Sequence, residues 1–398
     1  MNILVFNCGS SSLNYKLYQT DNQNTLTVLA FGKAHRVNVK GTEPAFLEHH
    51  WKNQSRKLET PLPDHAHAVR LILQHLTEQG LQISTMGHRF VHGGELFKSS
   101  TLLDEAALRK LETCMPLAPI HNPNSMSVIQ VCKQASPGIP QYAVFDTAFH
   151  ATIPDYACKY ALPYNISEKY GLRKFGFHGL SYTYVCQAAA QFLGKELSAI
   201  RIIACHLGTG GSSVAAISHG TSIDTSMGYT PLAGLMMSTR TGDFDPMLPL
   251  HMQTELGFTP QELNRILNKE SGLLGVSGFS SDLRDIEKQM ATNNRARLAF
   301  EMYTYRLKQY IGAYIASLGG VDVLIFTDDI GVKSWQVRHA VCNSLSFCGI
   351  ILDNERNRTV SQKDISDISS TDSTTSILVM PTDEESVICR EGIALLAK

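Results

Sequence analysis

The sequence predicts an α/β protein made of two copies of one domain, and three observations lead there. A strand, a glycine- and serine-rich loop and a second strand open the chain, and the same order returns near residue 200. A long amphipathic stretch in the C-terminal half runs into another apolar strand. At 398 residues the chain is also too long for one comfortable core.

The first copy starts in NILVFNCGSSSLNYKLY, residues 2–18. Ile3 to Phe6 form the apolar run of a buried strand, and Leu13, Tyr15 and Leu17 alternate with polar residues as in a strand covered on one face. A hairpin needs two turn residues, yet Asn7 to Ser12 supply many more polar groups than that. Glycine admits close approach to the backbone and serine hydroxyls donate hydrogen bonds, so the loop suits a phosphate. The second copy, RIIACHLGTGGSSVAAISHGTSIDTS, spans residues 201–226. Asn7-Cys8-Gly9-Ser10 aligns with His206-Leu207-Gly208-Thr209, His219-Gly220 makes a turn, and Ser222-Ile223-Asp224 begins a third strand. The repetition favours the phosphate reading over a solvated turn. The spacing of Leu307, Ile311, Tyr314, Ile315 and Leu318 predicts a helix over 293–318, ended by Gly319-Gly320. Another strand follows in VDVLIFTDDIGVKSW, residues 321–335. Thr259-Pro260-Gln261-Glu262 reads as a capping box with proline in the first turn. The polar stretch 361–376 reads as a solvated surface loop.

A net charge of −1 leaves no global basic footprint for nucleic acid or an acidic membrane, so any anion site must be built locally. No apolar run has the length of a membrane helix, and MNILVFN lacks the features of a secretory signal. The nine cysteines are scattered without a C-x-x-C pair, so neither a disulfide framework nor a zinc knuckle is expected. A cytoplasmic protein without nucleic-acid or membrane partners is the expectation.

Several short stretches carry chemistry-bearing residues: HRFVHGG (88–94), PLAPIHNPNS (116–125), VFDTAFH (144–150), KFGFHGLS (174–181) and STRTGDFDP (238–246). They supply arginines, histidines and an aspartate near the ends of apparent strands, where α/β folds put their sites. The chain has no G-x-x-x-x-G-K-[ST], H-E-x-x-H or G-x-S-x-G motif, which removes the P-loop, zinc-protease and hydrolase-elbow readings. EHH at 48–50 and HAH at 65–67 lack matching metal partners in sequence and read as surface histidines. Anion chemistry remains: phosphate loops, arginines for oxyanions, histidine donors, and carboxylates for Mg²⁺.

These motifs, with HLGTGGSS, DTSMGYTPLAGLMMSTRTGD, SGLLGVSG, SSDLRDI and PTDEE, resemble those of the acetate kinases over nearly the whole chain. The resemblance implies an actin/hexokinase/Hsp70-type (ribonuclease H-like) fold, with two duplicated α/β domains around a central cleft. It implies a first domain of residues 1–150 plus 382–398 and a second of 151–381 that carries the donor-binding loops. The family is dimeric, requires Mg²⁺ (with Mn²⁺ as a substitute), and interconverts acetate and acetyl phosphate by in-line transfer. By resemblance, Asp146, His178 and Arg240 are catalytic. Arg89, Val91, Ile120, His121, Phe177 and Pro231 bind the acyl substrate, with Val91, Ile120, Phe177 and Pro231 around the acetate methyl. Ser10, Ser12, Asn14 and Lys16, and His206, Leu207, Gly208, Thr209 and Gly210, hold the donor phosphates. Asp282, Leu283 and Arg284, with Asp329, Ile330, Gly331, Val332 and Lys333, match the nucleotide segments. Asn7 and Glu384 match the metal positions.

The chain also departs from the family pattern. Asn14 stands where the family carries lysine, and Lys16 lies two residues further along the same strand face. The segment Phe326 to Lys333 puts Asp329 at a glycine position and Lys333 at an asparagine position. Thr209 likewise replaces an asparagine. These departures resemble a branch that uses pyrophosphate and phosphate in place of ATP and ADP, so both donor couples stay open. So do a propionate or butyrate kinase and a non-catalytic actin-like nucleotide-binding protein.

Overall fold

The computed structural model describes every residue except Asn22, Lys40, Thr42 and Lys398. Those four, the last of which ends the C-terminal segment expected in the first domain, lie outside the described residues. The chain divides into two compact units, Met1–Phe149 with Asp383–Lys398, and His150–Thr382.

The first unit carries β1 (Asn2–Cys8), β2 (Ser12–Thr20), β3 (Leu26–His35), β4 (Phe46–Trp51), β5 (Gln54–Glu59), β6 (Thr85–Phe90), β7 (Thr101–Leu102) and β8 (Gln141–Phe145). They form one sheet in the order β5-β4-β3-β2-β1-β6-β8-β7. β1 pairs antiparallel with β2 and parallel with β6, and β6 pairs parallel with β8. Ile3 to Phe6 are buried on both faces, as a central strand demands, while Leu13, Tyr15 and Leu17 are buried and Asn14 and Lys16 half-exposed. The helices His65–Glu78 and Asn122–Ala135 cover one core of this sheet. The C-terminal helix Glu384–Leu396, capped by Asp383, packs on β1 and β6. A Cβ at Gly392 would lie 2.2 Å from the Tyr142 ring and hydroxyl, so only glycine lets that helix approach β8, where Tyr142 donates to the Ile388 carbonyl at 2.9 Å.

The second unit carries β9 (Arg201–Leu207), β10 (Ser212–Ser218), β11 (Thr221–Thr225), β12 (Val323–Thr327), β13 (Ser366–Asp367) and β14 (Ser376–Val379). Their order is β11-β10-β9-β12-β14-β13, with β9 antiparallel to β10 and parallel to β12, and β12 parallel to β14. Strand for strand and sense for sense this repeats β3-β2-β1-β6-β8-β7. The registers agree as well: Asn7 faces Asn14, and His206 faces Ser213. In both loops the first glycine N–H reaches the carbonyl three residues on, Gly9 to Ser12 at 2.9 Å and Gly208 to Gly211 at 3.1 Å.

The expected helix is Asn294–Leu318, capped by the Asn293 side chain and closed by Gly319 at φ +66°. The capping box of Thr259 and Glu262 forms as expected. Three readings need correction. His49 and His65 are not surface residues. His49 is 1% exposed, held between the Tyr15 hydroxyl and Gln79, and His65 is 3% exposed with its Nε2 on the Gly9 carbonyl at 3.0 Å. Each finds its polar partner far away in sequence, so the local polar surroundings misled. The stretch 361–376 is not all loop: β13 pairs with β14, and Ile368 is wholly buried. Its apolar content is too sparse for a periodic signal. Finally, the loop of residues 116–125 ends early, because Asn122 already opens a helix with Pro123 in its first turn.

Candidate active site

In the first unit the expected residues converge on the end of β1. Arg89, near the end of β6, grips Asp146 with both edges of its fork: Nε donates to Oδ1 at 2.9 Å and Nη2 to Oδ2 at 2.5 Å. Its Nη1 donates to the Asn7 side-chain oxygen at 3.0 Å and lies 3.8 Å from Glu384. The Asn7 amide nitrogen in turn donates to Glu384 at 2.9 Å and to Glu385 at 3.0 Å. Asp146 is 1% exposed, just past the end of β8. Burial opposes the guanidinium charge, but Asp146 and Glu384 outweigh it and hold Arg89 above its ordinary range. Lys16 does not reach the loop. It pairs with Asp383 at 2.7 Å and Glu385 at 3.3 Å, and these carboxylates outweigh burial and raise its pKa.

Ser10 is exposed at the loop tip and Ser12 half-buried, while Asn14 lies directly across from Asn7. Val91 is buried just beyond β6, Ile120 is exposed, and His121 immediately precedes the helix Asn122–Ala135. The fully buried Asn122 clamps this region: its side chain accepts from the His92 N–H and donates to the carbonyls of His92 and Cys114. His88 is a core residue, stacked on Phe6 and bonded to Gln141, and burial pulls its pKa down to about 4.

In the second unit the histidines and Arg240 gather at the β9–β10 loop. His178 has φ +62° and starts the helix Gly179–Phe192 rather than ending a strand. Its ring stacks on that of His206 at 4.0 Å, and its Nδ1 lies 2.8 Å from Ser213 Oγ. His206 Nδ1 lies 2.9 Å from Ser181 Oγ, and its Nε2 meets Asp328 at 3.1 Å. A Cβ on Gly208 would sit 2.2 Å from the Asp328 carboxylate, so that carboxylate lies directly against the loop. A Cβ on Gly211 would lie 3.3 Å from Arg240 Nη1 and 3.6 Å from His178 Nε2, so both groups face the loop. Arg240 donates to the Pro231 carbonyl at 3.2 Å, and burial lowers its pKa. No carboxylate pairs with it among the described residues. Phe177 is buried and accepts from His150 Nε2 at 3.0 Å. Leu207 belongs to the core, and Thr209 and Gly210 are exposed, with the Thr209 carbonyl accepting from Ser238 at 2.9 Å.

Asp329 and Lys333 are about half-exposed and pair with each other at 2.6 Å across one helical turn. Asp328, at φ +64°, is the carboxylate turned toward the loop. Burial alone would raise its pKa, but His206 outweighs this and lowers it. Ile330 and Val332 are core side chains, and Gly331 packs on the end of β12. Asp282 caps the helix Leu283–Gln289 and pairs with exposed Arg284, while Leu283 is buried. Asp282 and Arg284 line a cavity of about 590 Å³ with Asp285, Glu287, Lys288 and Gln336.

The profile of the acetokinase family matches residues 2–390. The chain belongs to the acetokinase family. It is 44% identical to the acetate kinase of Thermotoga maritima, over 100% of this chain and 99% of that protein. Among solved structures, the Entamoeba histolytica acetate kinase superposes with a TM-score of 0.90 at 44% identity, covering 100% of both chains. A Francisella tularensis propionate kinase gives 0.89 at 35% identity, covering 98% of both. The actin/hexokinase/Hsp70-like fold of the acetokinases accounts for the two duplicated sheets, and the family makes this chain a phosphotransferase.

Residues missed in the sequence complete the picture. Asp383 and Glu385 flank Glu384 in PTDEE and tie Lys16 and Asn7 to the helix start. Ser213 and Tyr182 support His178, and the signal available was the four-residue spacing from His178 to Tyr182. Arg338 is wholly buried. It donates to the carbonyls of Gly331 and Val332 at 2.7 and 2.8 Å and to Asn357, fixing the short helix Asp328–Lys333, and burial lowers its pKa to about 10.

Proposed function

We propose that this acetokinase catalyses reversible, metal-dependent phosphoryl transfer between ATP and acetate, forming or consuming acetyl phosphate. The observation that carries the reading is the approach to Gly211 of His178 Nε2 and of Arg240 Nη1, which no carboxylate pairs among the described residues. In-line transfer spreads negative charge over equatorial oxygens, and fixed donors there lower the barrier. Arg240, half-buried and without a carboxylate, is suited to an anion that arrives with the substrate. In the first unit Arg89 binds the acyl carboxylate or phosphate, Asp146 holds it in orientation, and Val91 and Ile120 help select a short acyl chain.

Asn7 and Glu384 are the metal positions in this reading. No cluster of three His, Cys, Asp or Glu side chains forms a metal cage among the described residues. Mg²⁺ asks for none, since it binds through one or two protein oxygens and keeps waters and substrate phosphates. The Asn7 amide nitrogen donates to the Glu384 carboxylate at 2.9 Å, so the two side chains, each with an oxygen to offer an ion, stand side by side. Bound there, Mg²⁺ or Mn²⁺ neutralises phosphate charge.

ATP is the donor we favour. The relatives named above lend pyrophosphate no support, and Asp329, at a glycine position of the nucleotide segment, is engaged by Lys333 at the surface. The homodimer and a cytoplasmic location complete the reading by resemblance. A hydroxamate assay for acetyl phosphate, with acetate and ATP, GTP or pyrophosphate, with and without EDTA, tests it. Acetyl phosphate formed only with ATP or GTP and lost with EDTA is the expected result. Turnover with pyrophosphate alone would replace the donor, and none with any donor would overturn the reading.

A further inference from the structure

Two buried side chains behind His178 do more than fill space. Ser213 Oγ lies 2.8 Å from His178 Nδ1 and 2.5 Å from the Tyr182 hydroxyl, and both Ser213 and Tyr182 are wholly buried. A phenol is a far more acidic donor than an aliphatic hydroxyl, so in the Tyr182–Ser213 bond the phenol proton points to Ser213 Oγ. Ser213, having accepted, turns its own proton to His178 Nδ1. A neutral imidazole that accepts at Nδ1 carries its proton at Nε2. Nε2 is the nitrogen that faces Gly211 and Arg240.

We propose that Tyr182 and Ser213 are positioning residues that hold His178 as its neutral Nε2–H tautomer, so that it meets the transferring phosphoryl group as a hydrogen-bond donor. The stack with His206 supports the same state. His206 donates Nε2–H to the Asp328 carboxylate, and a neutral His178 adds no charge beside the ring stacked on it at 4.0 Å. The left-handed backbone of His178 aims the ring back at β10, where Ser213 sits opposite His206 in the register. The catalytic use of the tautomer rests on the function proposed above, whereas the tautomer itself does not.

The test combines ¹⁵N-histidine NMR of the full chain with steady-state kinetics. The long-range ¹H–¹⁵N pattern that disappears in His178→Gln should show an unprotonated Nδ1 and a protonated Nε2. Ser213→Ala and Tyr182→Phe should mix the tautomers and lower kcat by about 10–100-fold, the range for losing a hydrogen bond that orients a functional imidazole, with KM for acetyl phosphate nearly unchanged. Ser213→Thr, which keeps the hydroxyl, should restore the wild-type pattern. A protonated Nδ1 in the wild-type spectrum, or unchanged kcat in both variants, would overturn the proposal. Should the variants fail to fold, the wild-type spectrum alone decides. Should the wild type turn over no acetyl phosphate, the proposed function fails and the spectrum still judges the network.

Discussion

Arg240 and Arg89 are both half-buried arginines of the site, and their removal should have opposite signatures. Arg240 makes one hydrogen bond to a carbonyl and a weak contact with Met237 sulfur, and no carboxylate depends on it. Losing one bond costs about 1 kcal/mol, which relief of a desolvated charge largely offsets. Arg240→Ala should therefore melt within a few degrees of wild type while kcat falls by about 10²–10³-fold, as for a lost transition-state donor. Arg89→Ala leaves Asp146, 1% exposed, without its bidentate partner and strips a donor from Asn7. Breaking such a buried pair costs about 3–5 kcal/mol. In a unit of about 165 residues that is a fall in Tm of roughly 6–20 °C. Calorimetry and the hydroxamate assay on both variants give the comparison. Equal loss of Tm in the two, or an Arg240→Ala enzyme within tenfold of wild-type kcat, would refute this account of the charges.

Val91→Ala should raise the propionate-to-acetate ratio of kcat/KM, by no more than about 10–200-fold, since one methylene is worth about 1–3 kcal/mol; an unchanged ratio removes Val91 from the acyl site. Asp328→Asn takes a carboxylate from beside Gly208, so KM for the nucleotide donor should fall by at least about threefold in initial-rate assays; an equal or higher KM contradicts electrostatic repulsion there. Burial raises the Cys8, Cys186, Cys342 and Cys389 thiols to about 12. An acid whose folded pKa exceeds its unfolded value near 9.0 contributes stability below pH 9 that is lost as pH rises toward 12, so urea midpoints should drop between pH 8 and pH 10. Replacing these four cysteines by alanine or serine should flatten that slope, and an unaltered slope would assign it to other groups.

What was legible in the sequence was whatever has a short period. The apolar runs of β1, β9 and β12, the alternation of β2 and the helix 294–318 follow from side-chain spacing alone, and the loop alignment proved to be the true register. What was hidden depends on partners distant along the chain. Arg89 meets Asp146 57 residues away, and Asn7 meets Glu384 across 377. His65 and His49 looked like surface residues because nothing near them in sequence could bond them. Asp328 and Asp329 are chemically identical neighbours, and only a backbone turned to φ +64° sends the first inward and leaves the second to Lys333.

That turn also explains how one fold yields two unlike loop environments. The copies share the strand order and the glycine-to-carbonyl bond that closes each loop, so the backbone frame is common. Side chains at matching positions differ. In the first copy β1 and β6 run side by side with Phe6 facing His88, which brings Arg89 beside Asn7. The next residue, Phe90, continues β6 into the core. In the second copy Thr327 faces His206 and β12 stops there. The following residue, Asp328, leaves the strand and returns its carboxylate to that histidine. A strand one residue longer would bury this position, as it buries Phe90, and His206 would lose its acceptor. Ending β12 at Thr327 is thus what converts a core position of the first copy into a charged one in the second. It gives the second loop a paired histidine where the first has an amide held by arginine.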